Sequence, residues 1–124
     1  MDDDQYAAGL AKLAEVGATA PERMIEALDG VSPELGRQII AWGFGEIYAR
    51  PALSPRDRQL VTLGVLTALG GCEPQLEAHV DLALNVGLDR EEIVEALLHA
   101  AVYAGFPRAL NATLAAGRAF DLRR

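Results

Sequence analysis

Residues 84–105 read LNVGLDREEIVEALLHAAVYAG and contain a whole helix with its start and its stop. Asp89 stands at the N-cap position, and Glu92, three residues later, completes a capping box. An apolar run follows, and Gly105 can take a left-handed conformation after the last helical turn. This stretch predicts a helix over residues 90–104.

Similar signals recur along the chain. Ser32-Pro33 and Ser54-Pro55 each place a hydroxyl at the N-cap and a proline at the first helical position. No segment alternates with the period of two that a strand requires. Glycines mark the expected stops, at Gly30, Gly70-Gly71, Gly87 and Gly105. We predict an all-α fold of about six to seven helices, near residues 4–16, 21–29, 33–48, 55–70, 74–86, 90–104 and 107–120.

Composition excludes several classes of protein. The chain has 124 residues, 51% of them hydrophobic, and a formal net charge of −7. That length predicts one domain, residues 1–124. No basic patch is available for nucleic acid, and no apolar run is long enough to span a membrane. The acidic start, Met1-Asp2-Asp3-Asp4, does not resemble a secretory signal, so we expect a cytoplasmic protein.

Two helices are apolar on more faces than one small domain can cover. The fourth combines Leu60, Leu63 and Val65, and the sixth combines Ile93 and Leu98 with neighbouring apolar residues. Such helices need cover on several sides, and we therefore expect a homo-oligomer. Residues 1–20, weakened as a helix by glycine, are expected to form an N-terminal arm laid on the core or on a neighbour.

The segment from Cys72 to His79 is the one dense cluster of reactive residue types. A helix that starts with Pro74 leaves Cys72 at its mouth, where unpaired N–H groups favour a thiolate. His79 lies beside a predicted buried stripe and can act as an acid or a base. The alternatives are an inert, small apolar Cys72 and a buried His79 satisfied by one hydrogen bond. A lone cysteine excludes an internal disulfide and a metal site of several thiolates.

Other candidates carry weaker signals. His99 is expected to line a helix or subunit contact, and a zinc site with His79 and His99 lacks any recognised ligand spacing, so we predict no metal. Trp42 and Tyr48 are core or interface anchors, or the wall of a pocket. Four arginines lie at helix junctions, and one that points inward would clamp a carboxylate: Arg50, Arg56, Arg58 and Arg108.

Three stretches in combination resemble the carboxymuconolactone decarboxylase family. They are Leu53 to Leu60, the run from Ala83 to Ile93 that reads ALNVGLDREEI, and the run from Tyr103 to Asn111 that reads YAGFPRALN, with His79 between the first two. The likeness covers residues 33–120. It implies an alkylhydroperoxidase D-like helical domain that associates as trimers, or as hexamers built from three dimers, with pockets near subunit contacts.

The resemblance also implies two chemistries that need different residues. The redox branch uses Cys-x-x-Cys-x-x-x-His and a Glu twelve residues before the first cysteine. Cys72 and His79 match it, but Gln75 replaces the second cysteine, and the Glu position falls on Leu60, or on Gln59 if the helices are offset by one. The decarboxylase branch needs the His without the cysteines. An Arg often found two residues after that His is Asp81 here, which puts the usual substrate in question.

We therefore predict a cofactor-free lyase that resembles 4-carboxymuconolactone decarboxylase, in aromatic compound catabolism, acting on a small carboxylated lactone or related cyclic acid. The catalytic candidates are His79, Cys72 and Gln75, and the substrate-binding candidates are Trp42, Tyr48, Arg58 and Gln59. The alternatives are a single-cysteine peroxidase or thiol oxidoreductase, and a biosynthetic tailoring enzyme or non-catalytic binding module on the same fold. A small molecule and further copies of the chain are the expected partners.

Overall fold

A computed structural model describes residues 3–18 and 21–123, and within those ranges every regular element is helical. The helices are α1 (Asp3–Glu15), α2 (Pro21–Asp29), α3 (Pro33–Gln38), α4 (Pro55–Leu69), α5 (Glu73–Asn85), α6 (Arg90–Ala104) and α7 (Phe106–Leu122), and α3 continues into a π-helical segment, Ile39–Ile47. The all-α prediction is confirmed.

The predicted caps hold the helix starts. Ser54 Oγ accepts a hydrogen bond from the Asp57 backbone N–H at 3.1 Å, and Ser32 does the same for Leu35 at 3.3 Å. At the start of α6, Asp89 and Glu92 form the full capping box. Because these signals depend on adjacent residues alone, they place helix ends to within one or two residues.

The one difference from the predicted helices lies in residues 33–48. They are helical throughout, but the second half winds as a π-helix, and the Tyr48 N–H donates to the Gly43 carbonyl five residues back, at 2.9 Å. An apolar pattern over nine residues does not distinguish 3.6 residues per turn from the wider turn of a π-helix.

The chain divides into two compact units, Met1–Leu53 and Ser54–Arg124. In the first, α1 packs on the π-helical segment, so the predicted arm lies on a neighbouring helix of its own unit. Gly9 and Gly45 make this contact close: a Cβ at Gly45 would overlap the Gln5 carbonyl oxygen, and one at Gly9 would overlap that of Ile40.

The second unit holds a core built by α4 to α7. Its larger buried members are Leu63, Leu76, Val80, Ile93, Leu97 and Phe120, with alanines of α7 filling the space between them. Two polar side chains of α4, Gln59 and Thr67, are also buried. The Thr67 hydroxyl donates to the Leu63 carbonyl at 2.7 Å. The hydrogen-bond partner of Gln59 lies on α5 and is described with the candidate site.

The helices of the second unit also keep apolar side chains at their surface, as the sequence pattern indicated. One strip runs along α4, with Val61, Val65 and Leu69 each at least half exposed. A groove of about 590 Å³ between α6 and α7 is lined by Val94, Leu98, Phe106, Leu110 and smaller neighbours. Within the described ranges, no helix has both the length and the apolar character needed to cross a membrane.

Candidate functional site

Two helices of the second unit bring His79 and Gln59 together. Gln59 follows the first turn of α4, whose start is fixed by Ser54 and Pro55. It shares a buried stripe with Leu63 and Thr67, at intervals of four residues, and is itself fully buried. On α5, His79 lies three residues after Leu76, one of the residues buried against that stripe.

The His79 ring is hydrogen-bonded from its buried side. Its Nδ1 lies 3.0 Å from Gln59 Oε1, although the two residues are twenty positions apart. Burial lowers the pKa of His79 from its ordinary value, because a charged imidazolium loses hydration there. The side chain is therefore neutral near pH 7, and a neutral imidazole can take up a proton.

Gln59 was predicted as a site residue. It is the position expected when α4 and α5 are offset by one residue from the spacing of the redox branch. The sequence placed the family's relay carboxylate at Leu60 or, with that offset, at Gln59. It is Gln59 that reaches His79, whereas Leu60 lines a groove between α4 and α6. An uncharged amide thus occupies one of the two positions that the sequence resemblance assigned to the acid of the redox branch.

Cys72 and Gln75 lie nearer the start of α5. Cys72 is the N-cap residue, partly buried, and its thiol donates to the Gly70 carbonyl with an Sγ···O distance of 3.6 Å. The cavity that it lines with Thr67 and Arg108 measures only about 10 Å³. Gln75 is exposed. Two helical turns separate Cys72 from His79, and no contact links them among the described interactions.

The other predicted binding residues are spread over the molecule. Arg58, partly buried, precedes Gln59 on α4. Trp42 is 54% exposed and Tyr48 stacks on Phe44 with ring centroids 4.4 Å apart, both in the first unit. Their role as pocket walls stays a prediction.

Two of the four junction arginines tie helices of the second unit together. Arg56 pairs with Glu92 and so ties the start of α4 to the start of α6. Arg108 donates to the Leu69 carbonyl at the end of α4.

Asp81 has a structural explanation. Its carboxylate accepts from Arg123 Nη1 at 3.4 Å, and Asn85 accepts from Arg123 Nη2 at 3.1 Å, so the end of α7 is tied to α5. Residues two apart on a helix point to different sides, and Asp81 lies away from the Gln59 side of His79. The sequence shows that Asp81 and Asn85 are four residues apart and so share a helix face. It does not show that Arg123 lies beside them.

One surface feature was not predicted from the sequence. A groove of about 610 Å³ between α4 and α6 is floored by small residues at four-residue intervals, Gly64 and Ala68 on one helix and Ala96 and Ala100 on the other. His99, exposed, lies on its rim against Tyr103, with ring centroids 5.7 Å apart. The four-residue spacing of small residues on both helices is the sequence signal that could have predicted this groove. Among residues 3–18 and 21–123 no three acidic, histidine or cysteine side chains gather as a metal site would require.

Comparison with known proteins matches this architecture to named relatives. A 4-carboxymuconolactone decarboxylase from Acinetobacter baylyi is 36% identical over 114 residues, which cover 91% of this chain and 84% of that protein. A nitrosuccinic acid decarboxylase from Metarhizium robertsii is 39% identical over 82 residues, or 64% of this chain and 55% of that protein.

A third relative represents the redox branch. An alkyl hydroperoxide reductase AhpD from Rhodococcus erythropolis is 36% identical over 66 residues, or 53% of this chain and 36% of that protein. The sequence profile of the carboxymuconolactone decarboxylase family matches residues 33–118, more than half of the chain. The chain therefore belongs to the carboxymuconolactone decarboxylase family.

Proposed function

We propose that this protein is a carboxy-lyase that removes CO2 from a small carboxylated lactone or a related acid, with His79 as its proton-transfer residue. The observation that carries the proposal is the neutral, hydrogen-bonded imidazole of His79 at the edge of the second unit's core. Two relatives that carry decarboxylase in their names support the reaction class.

The names of those relatives suggest a shared kind of substrate. In 4-carboxymuconolactone the electron pair left by CO2 can delocalise to the lactone oxygen, and in nitrosuccinic acid it can delocalise into the nitro group. Both compounds stabilise their own carbanion. We therefore infer a substrate whose leaving carboxylate is attached to a carbon next to an electron-withdrawing group.

The protein's own part in such a reaction is small. The C–C bond breaks, CO2 leaves, and the electron pair stays on the substrate as a delocalised anion. A proton then forms the new C–H bond, and His79 is the residue proposed to deliver it. Arg58, half-buried beside Gln59 in sequence, is proposed to hold a second carboxylate of the substrate.

A single-cysteine peroxidase is the second candidate, because one relative is named alkyl hydroperoxide reductase and the chain has one cysteine, Cys72. Against it stand Gln75 in place of a second cysteine and the cavity of about 10 Å³ beside Cys72. A sulfenate formed at Cys72 would need an external thiol to reduce it.

The deciding experiment measures CO2 release from 4-carboxymuconolactone and from nitrosuccinic acid, beside peroxide consumption with a thiol reductant. We expect CO2 release by the wild type and a loss of about 100-fold or more in His79→Gln, the range in which general acid–base residues contribute. His99→Gln is the matched control and should keep its activity.

The result can contradict the proposal in two ways. Turnover within a few-fold of wild type in His79→Gln would remove His79 from the mechanism. Peroxide consumption that Cys72→Ser abolishes, with no CO2 released from either acid, would replace the lyase with the peroxidase.

A further inference from the structure

The hydrogen bond between His79 and Gln59 has a direction. Gln59 presents its amide oxygen, Oε1, to His79 Nδ1 at 3.0 Å. An amide oxygen can only accept, so the proton in this bond belongs to Nδ1. A neutral imidazole carries one ring proton, and with that proton on Nδ1 the second nitrogen, Nε2, keeps a free lone pair.

The position of Gln59 makes it a suitable anchor for the ring. Its side chain has no exposed surface and lies on the α4 stripe between the helix start and Leu63. Breaking a hydrogen bond of a buried amide costs about 1–3 kcal/mol, which favours keeping the bond to His79. The amide is also uncharged, so it orients the ring without the added stabilisation of an imidazolium that a carboxylate would give.

From these contacts we propose that Gln59 is a positioning residue that holds His79 in the Nδ1–H tautomer, so that Nε2 is the ring atom that gains and loses the proton. The tautomer is independent of the proposed lyase activity. The use of Nε2 in catalysis rests on that activity.

Within the lyase, this assignment fixes the path of one proton. The resting ring has Nδ1–H and a bare Nε2. When an anionic substrate binds, Nε2 takes a proton from solvent, because the substrate's charge offsets the cost of an imidazolium. After CO2 leaves, the Nε2 proton moves to the carbanion, and the ring returns to its starting form with its bond to Gln59 unbroken.

Nuclear magnetic resonance of protein labelled with ¹⁵N at histidine tests the tautomer without any substrate. The chain has two histidines, so His99→Gln assigns the signals of His79. At a pH where the ring is neutral, we expect a protonated Nδ1 and a bare Nε2. On acidification, the large ¹⁵N shift should occur at Nε2. A neutral ring protonated at Nε2, or an unconstrained mixture of both forms, would overturn the proposal.

Two variants test whether Gln59 causes the tautomer. Gln59→Leu keeps much of the volume but removes the acceptor, and we expect the Nε2–H form, which free imidazole side chains favour, to become the major one. Gln59→Glu keeps an oxygen acceptor and should keep Nδ1–H, while its charge raises the pKa of His79. A Gln59→Leu protein with an unchanged tautomer would show that Gln59 does not set it.

Two controls complete the design. Circular dichroism establishes that each variant folds, and the wild-type spectrum alone keeps the proposal open to refutation if Gln59→Leu does not fold. A wild type with Nδ1–H but no release of CO2 would count against the lyase and leave the tautomer standing. Release of CO2 by a wild type with Nε2–H would do the reverse.

Discussion

Two properties of His79 both favour its neutral form. Its ring is removed from water far enough to lower its pKa, and its one described hydrogen-bond partner is an uncharged amide. An ion pair at this place would have kept the ring charged at neutral pH. The neutral resting state thus follows from burial, with no charged partner at position 59 to oppose it.

The stability of the protein should therefore depend on pH through His79. The unfolded chain binds a proton near the ordinary pKa of histidine, about 6.5, whereas the folded chain resists it. Below that pH the unfolded state holds more protons, so the free energy of unfolding should fall as the pH is lowered from 8 to 5.

Chemical denaturation at several pH values measures this dependence. His79→Gln should be less sensitive to pH than the wild type over that range, because it lacks the group whose pKa differs between the two states. His99→Gln retains His79 and should keep its contribution. Parallel curves for wild type and His79→Gln would contradict the expectation.

The sequence alone predicted His79 and Gln59 as site residues, but it did not predict that they contact each other. The spacing of Leu76 and Val80 placed His79 beside a buried stripe, which needs only the helical period. Whether Gln59 or Leu60 faces it depends on how α4 is rotated about its axis against α5. That rotation is set by packing of residues far apart in the chain, such as Leu63 on Leu76.

For the individual helices, the sequence predicted a start or an end wherever the residues next to it determine it. Ser54, Pro55 and the Asp89–Glu92 capping box fixed the starts of α4 and α6, and Gly70 and Gly105, both with positive φ, fixed their ends. The π-helical winding of residues 39–47 has no such signal. The close contact with α1 that accompanies it involves backbone atoms and two glycines.

The contact between α1 and the π-helical segment can be tested by comparing two alanine substitutions. Gly45→Ala would push a methyl group into the Gln5 backbone and should cost about 1–3 kcal/mol, as overpacking does. Gly43→Ala, two residues earlier, meets nothing within 4 Å and should be neutral or stabilise the helix by up to about 1 kcal/mol.

Thermal and chemical unfolding of the two variants decides this prediction. The same substitution in the same helix separates the effect of the contact from that of alanine's higher helix propensity. Equal stability of Gly45→Ala and Gly43→Ala would show that α1 does not need the glycine at position 45.

At the scale of the whole molecule, the apolar groove between α6 and α7 is exposed in a single copy of the chain. Leu98 is 61% exposed, Phe106 82% and Leu110 59%, all around one groove of about 590 Å³. Contiguous apolar patches of this kind mark interaction sites. We propose that a second copy of the chain covers the groove, as the homo-oligomer expected from the sequence requires.

Light scattering coupled to gel filtration tests that proposal. Leu98→Glu would place a charge in the groove and should shift the protein to a smaller species over a range of concentrations. Val31→Glu alters another exposed apolar residue, in the first unit, and should leave the mass unchanged. A wild type that is monomeric, or a Leu98→Glu protein with the wild-type mass, would refute this use of the groove.

The division of the chain after Leu53 has an evolutionary consequence. Every described contact of His79, the caps that place α4 and α6, and the core that buries Gln59 lie in Ser54–Arg124. Recombination at that junction would carry His79 and Gln59 together to a new N-terminal half. Residues 1–53, with Trp42 and Tyr48 among them, could then be exchanged while the hydrogen bond between His79 and Gln59 is kept.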